Sequence, residues 1–81
     1  LRVLYFAWLR ERIGESAELL DTRAATVADL VAELRGREER YALAFSDMAA
    51  VRVALDQELA DLAAPLAGVR EVAFFPPMTG G

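Results

Sequence analysis

Two segments near opposite ends of the chain are apolar on both faces of an extended strand. Arg2 to Trp8 alternates Val3, Tyr5 and Ala7 with Leu4, Phe6 and Trp8. Arg70 to Phe75 sets Val72 and Phe74 on one side, Ala73 and Phe75 on the other. Successive strand side chains point to opposite faces. A strand without a polar face therefore belongs inside a sheet. If these two central strands pair, they run parallel, because a helix-bearing segment between them supplies the crossover.

That helix is the clearest in the chain. Thr26 can cap its first turn, and Asp29 three residues later approximates a capping box. Val27, Leu30, Val31 and Leu34 follow the i, i+3, i+4, i+7 spacing of one buried face, and Gly36 ends the run. Shorter elements surround it. Leu9 to Ile13 fits a helical turn closed by Gly14. Ser16 to Asp21 fits a second strand in a hairpin with the first. Arg35 to Arg40 reads as a solvated helix end. Tyr41 to Phe45 fits either a short helical turn or an apolar plug. Ala50 to Leu55 reads as a strand, turned by Asp56-Gln57-Glu58 into a brief strand around Leu59. Leu66, in a loop with Pro65, is expected to tuck under the sheet. The order β-β-α-β-β-β, with one main helix against a mixed sheet of four to five strands, predicts an α+β chain of β-grasp, or ubiquitin-like, form.

Composition excludes several chemistries. At 81 residues the chain is one small domain, and its apolar fraction of 56% suffices for a core with apolar surface to spare. A net charge of −4 argues against a nucleic-acid footprint. All nine basic residues are Arg, so the chain offers no lysine amine to an activated acyl group. With no His and no Cys, it has no imidazole base, thiolate nucleophile, disulfide or ordinary zinc site. No apolar run approaches the roughly 20 residues of a membrane span, and no signal peptide is visible, so a soluble cytoplasmic protein is expected.

The last strand runs into Pro76-Pro77-Met78-Thr79-Gly80-Gly81. Neither proline can donate a ladder hydrogen bond, so the strand stops there. A frayed end is the ordinary fate of terminal residues. Yet with Gly at about 7% of average sequence, a chance Gly-Gly end belongs to roughly 0.5% of chains. Residues 1–76 are expected to form the folded domain and 77–81 a flexible tail. Extended, 76–81 reaches roughly 20 Å at about 3.3 Å per residue. Gly80 and Gly81 lack a Cβ and can thread a narrow slot. The chain thus reads as a carrier whose chemistry takes place on the carboxylate of Gly81.

Val3-Leu4-Tyr5-Phe6-Ala7, Arg10-Glu11, Gly14, Thr26-Val27, Asp56-Gln57-Glu58-Leu59, Pro65-Leu66 and the closing Glu71 to Gly81 resemble the small subunits of molybdopterin synthase, the MoaD-type sulfur carriers. The likeness covers nearly the whole chain, and its closing stretch is the specific part. It implies that Gly81 is adenylated by an ATP-using, MoeB-type activating enzyme and converted to a thiocarboxylate with sulfur from a donor protein. It implies that the tail then enters a MoaE-type large subunit and gives its sulfur to a pterin precursor, within a heterotetramer of two small and two large subunits. Gly80 becomes the close-approach residue. The resemblance further implies that catalytic groups come from the partners, that this chain itself binds no cofactor, and that ATP is used by the activating enzyme. Two positions depart from the pattern. Gly68-Val69-Arg70 replaces an Asp-Gly-Asp-type turn, and Asp56 stands where Asn is frequent.

Leu4, Phe6 and Phe75 fall on the sheet face away from the main helix. The chain's own loops can cover Leu4 and Trp8, whereas an exposed apolar patch marks an interface. The resemblance adds Leu59 to Phe6 and Phe75 as partner contacts. Met78 and Thr79 are expected to fit a partner's channel by shape, without a chemical role; Pro76 and Pro77, which hold the base of the tail away from the sheet, are expected at the same partner interface. Arg10 and Arg12 suit either acidic partner groups or plain solvation. Asp56 and Glu58 read as turn chemistry ahead of an acid/base pair. Two other functions share the Gly-Gly end: a sulfur carrier for thiamine or tRNA thiolation, and a ubiquitin-like modifier joined to lysines of targets.

Overall fold

The computed structural model describes residues 1–77 of the chain. β1 (Arg2–Tyr5), β2 (Ala17–Leu19), β3 (Arg52–Leu55), β4 (Glu58–Ala60) and β5 (Glu71–Phe75) form one sheet in the order β2-β1-β5-β3-β4. β1 and β5 pair in parallel with Val3 opposite Val72 and Tyr5 opposite Phe74, as their two apolar faces require. β2 flanks β1 and β3 flanks β5, both antiparallel, and β4 closes the far edge. This is the β-grasp arrangement.

Three helices cover one face. α2 (Val27–Arg35) is the expected main helix, with Val27, Leu30, Val31 and Leu34 buried. The Thr26 hydroxyl oxygen accepts from the Asp29 N–H at 3.2 Å. The Val27 and Ala28 N–H groups, without partners inside the helix, donate to the carbonyls of Ala64 and Leu62. The loop around Pro65 therefore caps α2 as well as burying Leu66. α3 (Glu39–Ala44) resolves the alternatives at Tyr41 to Phe45 in favour of a helical turn. It buries Tyr41 and Ala44, and Phe45 follows them into the core. A single 3-10 turn (Met48–Ala50) leads into β3, which begins at Arg52, two residues later than expected.

The first strand is shorter than its composition suggests. β1 ends at Tyr5, and Ala7 and Trp8 open α1 (Ala7–Ile13), which Gly14 closes at φ 86°. Trp8 therefore does not share the sheet face of Leu4 and Phe6. The reason is burial: helical spacing carries Leu9 and Ile13 into the core, where both are almost fully enclosed. β2 is likewise trimmed to Ala17–Leu19.

The core is aromatic at its centre. Tyr5 stacks on Phe74 with centroids 6.2 Å apart, and Phe45 meets Phe74 edge-on at 5.0 Å. Full burial of such a ring stabilises by about 1.5–3 kcal/mol, and Tyr5 and Phe74 supply two such rings from the paired strands β1 and β5. Among the described residues no helix is long and apolar enough to cross a membrane.

Candidate functional site

The sheet turns Val3, Tyr5, Val53, Val72 and Phe74 toward the helices. Their neighbours face the other way. Register aligns Ala17, Leu4, Ala73, Ala54 and Leu59 in one row that crosses all five strands. Every member is apolar. Of the three central strands, β5 and β3 contribute the small Ala73 and Ala54 and β1 contributes Leu4, while the β4 end carries Leu59, 79% exposed. One step beyond the Tyr5–Phe74 pair, Phe6 and Phe75 stand beside the row at the end where the chain leaves the sheet. The Phe6 N–H donates to the Phe74 carbonyl at 3.1 Å, and Phe6 is 45% exposed. Phe75 is half-buried and lies opposite Arg52 on β3. Pro76 and Pro77 are also half-buried, at the root of the arm. An apolar strip on a small domain, flanked by Phe6 and Phe75 where β5 gives way to two prolines, has the makings of a docking face.

The ThiS family matches residues 3–81. The chain belongs to that family. Two molybdopterin synthase sulfur carrier subunits, from Escherichia coli and Haemophilus influenzae, are each 38% identical to it over 81 residues, covering 100% of this chain and 99% of theirs. Among solved structures, SAMP1 from Haloferax volcanii superposes with a TM-score of 0.73 at 28% identity, covering 99% of this chain and 97% of that one. A putative molybdopterin converting factor subunit 1 from Pyrococcus furiosus has a TM-score of 0.69 at 24% identity, with 95% of each chain covered, and shares the fold.

In this ThiS-family chain the structure brings Phe6, Phe75, Pro76 and Pro77 to one end of the outer face and sets Leu59 at its β4 side. Arg10 is exposed on α1, four residues beyond Phe6. Met78, Thr79, Gly80 and Gly81 lie outside the described residues. The Arg12 guanidinium sits over the Trp8 ring at 4.7 Å, a cation–π contact that keeps both groups on the α1 surface. Asp56 acts as turn chemistry. Asp56 and Gln57 have φ of 49° and 72°, which closes the β3–β4 hairpin through two left-handed residues. The Asp56 Oδ1 accepts from the N–H groups of Arg70 and Glu71 at 3.1 and 2.9 Å. The carboxylate thus ties the hairpin to the start of β5.

One cluster escaped the reading of the sequence. The Glu18 carboxylate, opposite Val3 on β2, faces inward and accepts from the Tyr5 hydroxyl at 2.8 Å and the Tyr41 hydroxyl at 2.7 Å. Arg37 approaches the same carboxylate at 3.9 Å. Burial, then the Glu18 hydrogen bond, pushes the Tyr41 phenol up to about 12, and the same causes raise Tyr5 well above the ordinary tyrosine value. The available signal was strand alternation: with Ala17 and Leu19 outward, Glu18 must point in.

Proposed function

We propose that this chain is the sulfur-carrier subunit of a molybdopterin synthase, with the carboxyl group of Gly81 as the reacting centre. The observation that carries this reading is the full-length 38% identity to two sulfur carrier subunits of that enzyme. The outer face supports it, because a carrier without His or Cys must dock on proteins that supply the catalysis.

The chemistry follows from the carboxylate. A free carboxylate is a poor electrophile. Adenylation with ATP at an E1-like activating enzyme releases pyrophosphate and gives it a leaving group, and sulfur delivered by a donor at the sulfide level, as hydrosulfide, then displaces AMP. The resulting thiocarboxylate holds nucleophilic sulfur at the end of an arm. The large subunit of the synthase receives that arm, with Gly80 passing the narrowest point and Met78 and Thr79 filling the channel by shape. Phe6, Leu59, Phe75, Pro76 and Pro77 form the docking contacts beside it, and Arg10 pairs with an acidic group of the partner.

Mass spectrometry after incubation with ATP, an activating enzyme and a sulfur donor tests the proposal. Exchange of one terminal oxygen for sulfur adds roughly 16 Da. An unchanged mass with active partner enzymes overturns the reading. A second reading draws on one finding: a solved relative at 25% identity is named small archaeal modifier protein 1. Chains joined through Gly81 to lysines of other proteins are the outcome specific to that alternative.

A further inference from the structure

Ala7 has a backbone φ of 53°. In this left-handed region the Cβ of an L residue crowds the backbone, so alanine is rare there. The other non-glycine residues with positive φ among the described residues, Asp56 and Gln57, close a two-residue hairpin that demands it. Ala7 closes no hairpin. It joins Phe6, extended at φ −120° and ψ 156°, to α1. Its own side chain is exposed, so packing of the methyl group does not hold the bend in place.

The bend is held through Phe6. The Phe6 N–H donates to the Phe74 carbonyl at 3.1 Å, and the Phe6 carbonyl accepts from the Leu9 N–H at 3.2 Å. One residue is therefore the last rung of the β1–β5 pair and the first acceptor of the helix that follows. The left-handed residue 7 is where the strand hands over to the helix. The reversal sends Leu9 and Ile13 into the core while the Phe6 ring stays out, 45% exposed. Backbone strain of this kind persists where the surroundings over-determine it, and it gathers at functional positions.

We infer that Ala7 is a positioning residue for partner docking: its left-handed backbone fixes Phe6, anchored at both its N–H and its C=O, on the outer face before a partner arrives. This rests on the reading of Phe6 as a partner contact. Pre-organising a contact residue strengthens binding by removing the ordering cost that association would otherwise carry. The alanine matters in this account, because glycine would relieve the strain and also free the junction to sample other conformations.

Three substitutions at one position separate these effects, read by thermal unfolding and by calorimetric binding to the purified large subunit of molybdopterin synthase. Ala7→Gly raises Tm by about 2–6 °C, against the usual direction for glycine in a helix, and weakens binding about two- to ten-fold. Ala7→Asn, whose side chain tolerates the left-handed region, raises Tm and leaves affinity within about two-fold. Ala7→Val lowers Tm by more than about 4 °C, because a branched Cβ is least tolerated there. A fall in Tm on Ala7→Gly overturns the strain. A rise in Tm on Ala7→Gly with unchanged affinity overturns the positioning role. Phe6→Asp, measured alongside, tells that failure from failure of the contact itself: unchanged affinity in Phe6→Asp removes Phe6 from the interface, and the positioning role with it.

Discussion

The Tyr41 hydroxyl on α3 donates to the Glu18 carboxylate on β2 at 2.7 Å, and so fastens an edge strand to a helix across the mouth of the core. Tyr5 donates to the same carboxylate from β1. Three elements thereby share one acceptor, at a place where β2 contributes only three residues of its own to the sheet.

Removing that acceptor leaves two phenols without their partner. Glu18→Leu is expected to cost about 2–4 kcal/mol, because an unsatisfied buried hydroxyl costs more than a made hydrogen bond contributes. Urea unfolding measures the loss. Sulfur loading of Gly81, assayed below the unfolding range, stays as in the parent chain.

The same cluster sets an alkaline limit. Both phenols have folded-state values above the unfolded tyrosine value of about 10. The unfolded chain therefore loses these protons first as pH rises. The contribution is complete below about pH 10 and declines above it, the Tyr41 part by about pH 12 and the Tyr5 part at still higher pH. Tm measured against pH, together with the ultraviolet band of the phenolate, checks this. Tyr41→Phe flattens the decline.

At the tail, deleting Gly81 is expected to abolish thiocarboxylate formation while moving Tm by less than about 1 °C, since terminal residues outside a core add little stability. Mass spectrometry and thermal unfolding of the same sample give both answers. A large loss of stability counts against a presented arm.

On the outer face, Phe75→Asp and Leu59→Asp are each expected to weaken binding to the large subunit by about ten-fold or more, as for apolar contacts at an interface centre. Circular dichroism should remain that of the parent. Unchanged affinity removes the altered residue from the docking contacts.

Asp56→Ala takes one acceptor from two backbone N–H groups at the start of β5. A loss of about 1–2 kcal/mol is expected, read by denaturant unfolding, whereas Glu58→Ala should fall within about 0.5 kcal/mol.

Much of this architecture was legible in the residues. Parallel pairing of β1 with β5 follows from two strands with no polar face, and the buried stripe of α2 follows from its spacing. Phe6 and Phe75 were placed on the outer face by alternation alone. What escaped has a local cause. Ala7 carries no signal for a left-handed bend, so apolar alternation ran the first strand on to Trp8. The role of Glu18 depends on Tyr41, 23 residues away, and periodicity along one element says nothing of a partner on another.

The position of β5 between β1 and β3 has a consequence for synthesis. A nascent chain that stops short of residues 71–75 leaves two strands without their common neighbour and an aromatic core without Phe74. Such a chain lacks both pairings that β5 makes and the ring on which Tyr5 and Phe45 pack. The fold is therefore complete only once the chain has been made as far as Phe75, six residues short of its last glycine.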